Sequence, residues 1–304
     1  MLTSYVISLK SYKQILPLLN KIKNEYNLNP VYIEGVNGKK LTYNEIKKNT
    51  SSLYAQFGPK SAIGCAMAHI KTWKQFLSTT DEMCIIFEDD VVFEPNFSKK
   101  LKVIIDNLPK DFDLVFLGCA SCQSNNNKKI NKYFNKPAIA TGTHAYIISR
   151  KGAEILLYYI DKKINNHIDR IIMTLYDDNK IVLYSLNNLI AYQTSASTGN
   201  SANISKYPFL INKICSFFEV EKTIKLDYTI NVSNTRIGSF NISTMTYIFF
   251  AIGIVLSICR VNIRISSLIF LIISLPDILI MKYLDIVLFY YLVFIIPSLI
   301  SQNF

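Results

Sequence analysis

Three consecutive carboxylates, Glu88-Asp89-Asp90, stand between the apolar runs Met83-Cys84-Ile85-Ile86-Phe87 and Val91-Val92-Phe93. The first run reads as a strand covered on both faces. Gathering that much negative charge at its end is costly unless a cation or hydrogen-bond donors compensate it. In extended backbone, residues i and i+2 point the same way, so Glu88 and Asp90 are expected to project together while Asp89 faces elsewhere. Oxygen donors so placed would chelate a hard divalent ion, Mn²⁺ or Mg²⁺, with phosphate oxygens completing the shell. A solvated acidic turn would use the same three residues, and the triplet alone does not choose between the two.

The surrounding pattern alternates strand and helix. Strands are expected at Ser4–Leu9, Val31–Ile33, Met83–Phe87, Asp113–Leu117, Thr143–Ile148 and Ile181–Tyr184. Helices are expected at Tyr12–Asn27, with its start near Pro17, at Ser61–Leu77, Asn96–Asn107, Arg150–Ile160 and Ile168–Tyr176. The Ser/Asn/Lys-rich stretch Ala120–Pro137 reads as a loop. Such alternation predicts an α/β fold whose mainly parallel sheet carries helices on both faces. Ligands of such sheets lie beyond the carboxyl ends of the strands, which is where Glu88–Asp90 falls.

The formal charge of +11 over 304 residues is unevenly spread. From Ile242 to Ile300 only Arg260, Arg264, Asp277, Lys282 and Asp285 are charged, a net +1. The basic remainder fits phosphate-bearing ligands or an anionic membrane surface. Nucleic acid is disfavoured, because no Lys/Arg cluster accompanies a groove-reading or base-stacking motif. The tail contains three apolar runs, Ile242–Cys259, Ile265–Ile280 and Ile286–Ile300, of 18, 16 and 15 residues. These are expected to be transmembrane helices or a helical hairpin. The expected organisation is thus a domain over 1–205, a stem or small subdomain over 206–241, and membrane-anchoring helices over 242–304. Arg260 and Arg264 favour a cytoplasmic first connecting loop. A folded basic domain with no signal peptide at Met1–Tyr5 is expected to stay on the cytoplasmic side, and a re-entrant hairpin would satisfy both. Among the six cysteines only Cys119 and Cys122 have metal or redox spacing, and no second pair or neighbouring His completes a zinc site. Buried thiols are the default reading.

Several motifs recur in the order of a known family. They are Val6-Ile7-Ser8-Leu9, Ile33-Glu34-Gly35-Val36-Asn37-Gly38, Ile63-Gly64-Cys65-Ala66-Met67-Ala68-His69 with Trp73, and Ile86-Phe87-Glu88-Asp89-Asp90-Val91. Asp113–Gly118, Ala145–Glu154, Ile168-Asp169 and Gln193 follow. Over roughly residues 4–205 the chain resembles glycosyltransferase family 25, which includes bacterial lipooligosaccharide glycosyltransferases and collagen galactosyltransferases.

The resemblance implies a GT-A fold, a UDP-sugar donor, a divalent metal at the acidic triplet and a glycan, glycolipid or glycoprotein acceptor. It implies donor contacts from Ser8, Leu9, Asn37, Gly64, His69, Glu88 and Asp89, and metal ligation by Glu88 and Asp90. It further implies inversion at the anomeric carbon, with Asp169 taking the acceptor's proton. Asp169 would equally serve as a helix N-cap or a partner of Arg170. His69 could instead be a packing histidine, and Thr141-Gly142-Thr143 a plain turn rather than a donor contact. His144 and His167 carry no motif support. Where the family commonly has arginines after the first strand, this chain has Lys10-Ser11-Tyr12-Lys13, and lysine lacks the planar fork of arginine. Ala62 and Ala68 replace the family's acidic residue and Ser. The expected activity is hexosyl transfer, galactose or glucose; the alternative is a catalytically silent, membrane-tethered scaffold.

Overall fold

The computed structural model describes residues 1–119, 121–160, 163–193, 236–237, 240–241, 244–276, 278–279 and 284–301. The chain divides into two units, Met1–Asn203 and Ile204–Phe304.

In the first unit, the predicted buried runs form one eight-stranded sheet of order β2-β1-β3-β8-β5-β9-β7-β6. The strands nearest the acidic triplet are β1 (Thr3–Ser8), β2 (Asn29–Glu34), β3 (Met83–Glu88) and β8 (Ala145–Ser149). Beyond them lie β5 (Leu114–Gly118), β9 (Leu183–Leu186), β7 (Phe134–Thr141) and β6 (Ser121–Lys129). β1 runs parallel to both β2 and β3, but β8 lies antiparallel between β3 and β5. β7 is antiparallel to β9 and to β6. The sheet is therefore mixed rather than mainly parallel. A strand covered on both faces has the same apolar run in either direction, so its composition carries no sign of orientation. The stretch expected to be a loop, Ala120–Pro137, instead supplies β6 and the start of β7. A disulfide joins Cys119 to Cys122 there, the pair with redox spacing, whereas Cys65 and Cys84 are free thiols as expected.

Helices cover both faces of the sheet. Ile15, Leu19 and Ile22 of α1 (Tyr12–Tyr26) and Phe97, Leu101 and Ile104 of the helix Phe97–Asp106 pack on Val6, Ile85, Phe87, Val115 and Ile147. The first of these helices begins at Tyr12 rather than near Pro17. Ser11 caps it, the Gln14 Oε1 accepting from the Ser11 N–H at 3.0 Å. On the opposite face Tyr146 lies across from Ile86, and there it meets α4 (Lys60–Leu77) through side-chain hydrogen bonds.

In the second unit the apolar runs become helices Thr244–Ile258, Ile263–Pro276 and Leu284–Ser301, of 15, 14 and 18 residues. Phe249, Phe270, Val287, Tyr290 and Phe294 form their common core. At about 1.5 Å per residue the helices are roughly 22, 21 and 27 Å long, short of the ~30 Å hydrocarbon core. Among the described residues no helix is long and apolar enough to cross a membrane. The expectation of transmembrane helices, and the membrane location drawn from it, is thereby overturned. The turn at Cys259–Arg260 and the end at Pro276 make the first two helices shorter than the apolar runs from which they were expected, while the third is longer. Most of the expected stem, 206–241, lies outside the described residues.

Candidate active site

The carboxyl ends of β2, β1 and β3 meet at one sheet edge, with Ser8 opposite Glu34 and Ile7 opposite Glu88. β3 ends at Glu88, and Asp89-Asp90 turn the chain into β4 (Val91–Phe93). The extended alternation therefore stops at Glu88. Asp89, expected to face elsewhere, lines the same cavity as Glu88 and Asp90.

Each carboxylate is held by a different element. Asp89 accepts from the Ser8 hydroxyl at 2.7 Å and pairs with Lys10 at 3.2 Å, so the end of β1 anchors it. Asp90 accepts from the Gln193 amide at 2.9 Å. Gln193 is the last residue of β10 (Ala191–Gln193), which pairs antiparallel with β4, placing Gln193 opposite Val91. Glu88 Oε1 accepts from the Thr143 hydroxyl at 2.8 Å and lies 3.3 Å from His69 Nε2. Burial pushes the Glu88 carboxyl up, but the hydrogen bonds from His69 and Thr143 outweigh it and leave the group below its ordinary value.

The opposite wall is the first half of α4, on which Cys65, His69 and Trp73 follow at four-residue spacing along one face. The segment after β2 closes over it. Asn37 accepts from the Lys39 N–H at 3.1 Å and caps a short 3₁₀ turn, Gly38–Lys40. This turn can lean on the helix only because two glycines face each other. A Cβ on Gly64 would sit 2.4 Å from the Val36 carbonyl oxygen, and one on Gly38 would sit 1.7 Å from that of Lys60.

The resulting cavity, about 400 Å³, is bordered by Ser8, Leu9, Asn37, Gly64, His69, Glu88, Asp89 and Asp90. The structure thus gathers into one place every residue that the resemblance assigned to the donor and metal. Lys39, Ser61, Cys65 and Gln193 also border it; of these, Cys65 and Gln193 lie in the matched motifs, and Lys39 and Ser61 carry no such signal. The regular spacing from Cys65 through His69 to Trp73 was a second signal for Cys65.

Asp169 stands at a second cavity of about 180 Å³, with Ala62, Thr141, Gly142, Thr143 and His167. It is in the first turn of the helix Ile168–Asp177, whose N-cap is His167. Its carboxylate accepts from the backbone N–H groups of Gly142 at 2.9 Å and Arg170 at 2.7 Å. Cys65, Glu88 and Gln193 border both cavities. His144 is buried behind Glu88 and its carbonyl accepts from the Glu88 N–H at 2.9 Å. Burial lowers the pKa of its imidazole, favouring the neutral ring.

Two donor sets could hold a cation. Glu88, Asp89 and Asp90 border one cavity and carry oxygens of the kind Mg²⁺ or Mn²⁺ takes, but the three carboxylates do not form a group with all ligand atoms within 4.8 Å of one another. Cys65, His69 and Glu88 offer one atom each within 4.8 Å of one another. The second set is the poorer, because burial, and then the charges of Glu88 and Asp169, push the Cys65 thiol well up and a protonated thiol is a weak ligand.

The family model of glycosyltransferase family 25 (LPS biosynthesis protein) matches residues 1–172. The chain belongs to this family. Human procollagen galactosyltransferase 2 is 28% identical to it over 167 residues, 50% of this chain and 27% of that protein. A glycosyltransferase 25 family member of Aedes aegypti is 24% identical over 176 residues, 49% of this chain and 29% of that protein. This family 25 chain thus spans under a third of the length of these curated relatives. A rat protein named probable inactive glycosyltransferase 25 family member 3 is 30% identical over 105 residues, 32% of this chain and 18% of that protein. Among solved structures, a glycosyltransferase involved in glycosylation of the major capsid of PBCV-1 aligns with 64% of this chain and 94% of its own, at 11% identity and a TM-score of 0.37.

Proposed function

We propose that the first unit is a metal-dependent, inverting glycosyltransferase that moves a hexose, galactose or glucose, from a UDP-sugar to a hydroxyl of a glycan, glycolipid or glycoprotein. The observation that carries this reading is the adjacency of two cavities sharing Glu88. One is bordered by the acidic triplet at the carboxyl ends of the parallel strands, the other by Asp169.

The larger cavity suits the donor. Lys39 complements diphosphate charge, and Glu88, Asp89 and Asp90 supply oxygens for Mn²⁺ or Mg²⁺. When bound, such an ion acts as a Lewis acid on the leaving diphosphate. The smaller cavity suits the acceptor hydroxyl. Asp169, fixed by the Gly142 and Arg170 amides, takes its proton as the oxygen attacks the anomeric carbon from the side opposite the leaving group. The bond to the acceptor oxygen forms as the bond to the diphosphate oxygen breaks, which inverts the centre.

The test is a mass-spectrometric screen of UDP-hexoses with the full chain, with Mn²⁺ and with chelator. The expected result is Mn²⁺-dependent release of UDP from one donor, with transfer to a saccharide acceptor. Absence of both turnover and UDP binding across the panel would favour the catalytically silent reading, to which Lys10, Ala62 and Ala68 already lend some support.

A further inference from the structure

The hydrogen bonds behind Glu88 run in one direction. Trp73 and His69 lie on α4 and Tyr146 on β8, and all three side chains are buried. An indole N–H only donates, so in the 2.9 Å contact between Trp73 Nε1 and the Tyr146 hydroxyl the oxygen is the acceptor. The phenolic proton must then go elsewhere. Among the described residues the other partner of that hydroxyl is His69 Nδ1, at 2.9 Å. A nitrogen that accepts carries no proton, which places the imidazole proton on Nε2, the atom 3.3 Å from Glu88 Oε1. The reverse arrangement, with Nδ1–H donating to Tyr146, would leave a fully buried phenol proton without an acceptor, a state native interiors avoid.

We infer that Trp73, Tyr146 and His69 form a one-way donor chain that fixes His69 as its Nε2–H tautomer and aims that N–H at Glu88. Two consequences follow for the cavity. Oε1 of Glu88 is committed to the protein by His69 and Thr143, so Oε2 is the oxygen left to meet a ligand. His69 Nε2, carrying a proton, is not a metal ligand despite its closeness to Cys65 and Glu88. Trp73 and Tyr146 border neither cavity, and so act as positioning residues. Their effect on the donor rests on the glycosyltransferase reading; the tautomer does not.

The chain contains three histidines, His69, His144 and His167, so long-range ¹H–¹⁵N correlation of the ¹⁵N-histidine-labelled full chain at neutral pH resolves them, with His69→Gln assigning the signal. The expected His69 spectrum has a pyrrole-type Nε2 and a pyridine-type Nδ1. In Tyr146→Phe, Nδ1 should move toward the shift of a free pyridine-type nitrogen while Nε2 stays pyrrole-type. A wild-type His69 with its proton on Nδ1, on both nitrogens, or averaged between them overturns the proposal. So does an Nδ1 signal unmoved by Tyr146→Phe. Should that variant fail to fold, the wild-type spectrum still decides. With turnover established, Tyr146→Phe should raise the donor KM several-fold more than it lowers kcat. A correct tautomer in a chain without UDP-sugar turnover would sink the catalytic reading and leave the donor chain standing.

Discussion

Replacing Gly64 by Ala sets two known effects against each other and so tests the packing beside the larger cavity by sign alone. Gly64 lies inside α4, where Ala is favoured over Gly by about 1 kcal/mol. The new Cβ, however, would meet the Val36 carbonyl oxygen at 2.4 Å and the Gly38 amide nitrogen at 2.7 Å, against ordinary contact near 3.4 Å. Both are backbone atoms, so the segment 36–38 must retreat by about 1 Å, a change that overpacking studies put at about 1–3 kcal/mol. The expected net effect is a loss of up to ~2 kcal/mol, or a fall in Tm of up to roughly 8 °C for a unit of this size. Gly38→Ala has no helix gain to offset it, and its Cβ falls 1.7 Å from the Lys60 carbonyl oxygen, so its loss should be larger. Because either substitution prises the same contact apart, the double variant should cost less than the sum of the singles. Thermal unfolding by circular dichroism reads all three, and titration with UDP should show weaker binding in each. A Gly64→Ala protein more stable than wild type, by the few degrees that helix propensity alone supplies, would refute the close approach.

Asp169→Asn should lower kcat by about 10²–10⁴-fold and leave the donor KM nearly unchanged, as loss of a general base does; near-normal turnover in steady-state assays rejects that role. Gln193→Ala releases Asp90 from its 2.9 Å hydrogen bond, and the donor KM should rise roughly tenfold, measured at saturating Mn²⁺. The Glu88 carboxyl titrates below its ordinary value of 4.5 in the folded chain. Its charged form therefore stabilises the fold above that value, and the contribution fades as pH falls from 4.5 through the lowered value. In Glu88→Gln, the fall of Tm on acidification through this window should be shallower; an identical slope would show that Glu88 is not the group responsible.

Element positions were largely legible because buried strands and amphipathic helices leave local apolar patterns: the helix Arg150–Ile160 occurs with the bounds that its periodicity predicts. Strand direction was not legible, since β8 between β3 and β5 is set by chain reversals far from its own residues. Ser121–Lys129 has no apolar alternation to announce a strand, and backbone pairing with β7 defines it instead. In the tail, composition revealed the apolar character but not where helices end, which depends on the turn at Cys259–Arg260 and on Pro276. The acidic triplet could be read as chemistry from its charge alone. Which carboxylate each partner holds could not, because Thr143, bonded to Glu88, and Gln193, bonded to Asp90, come from distant segments.

The wall common to the two cavities is only as thick as the side chains of Cys65, Glu88 and Gln193. With the donor and acceptor placed as proposed, a bisubstrate inhibitor would need only a short tether between its nucleotide and saccharide halves. A longer linker would have to loop out into solvent, losing through its own flexibility the affinity gained by joining the two ends.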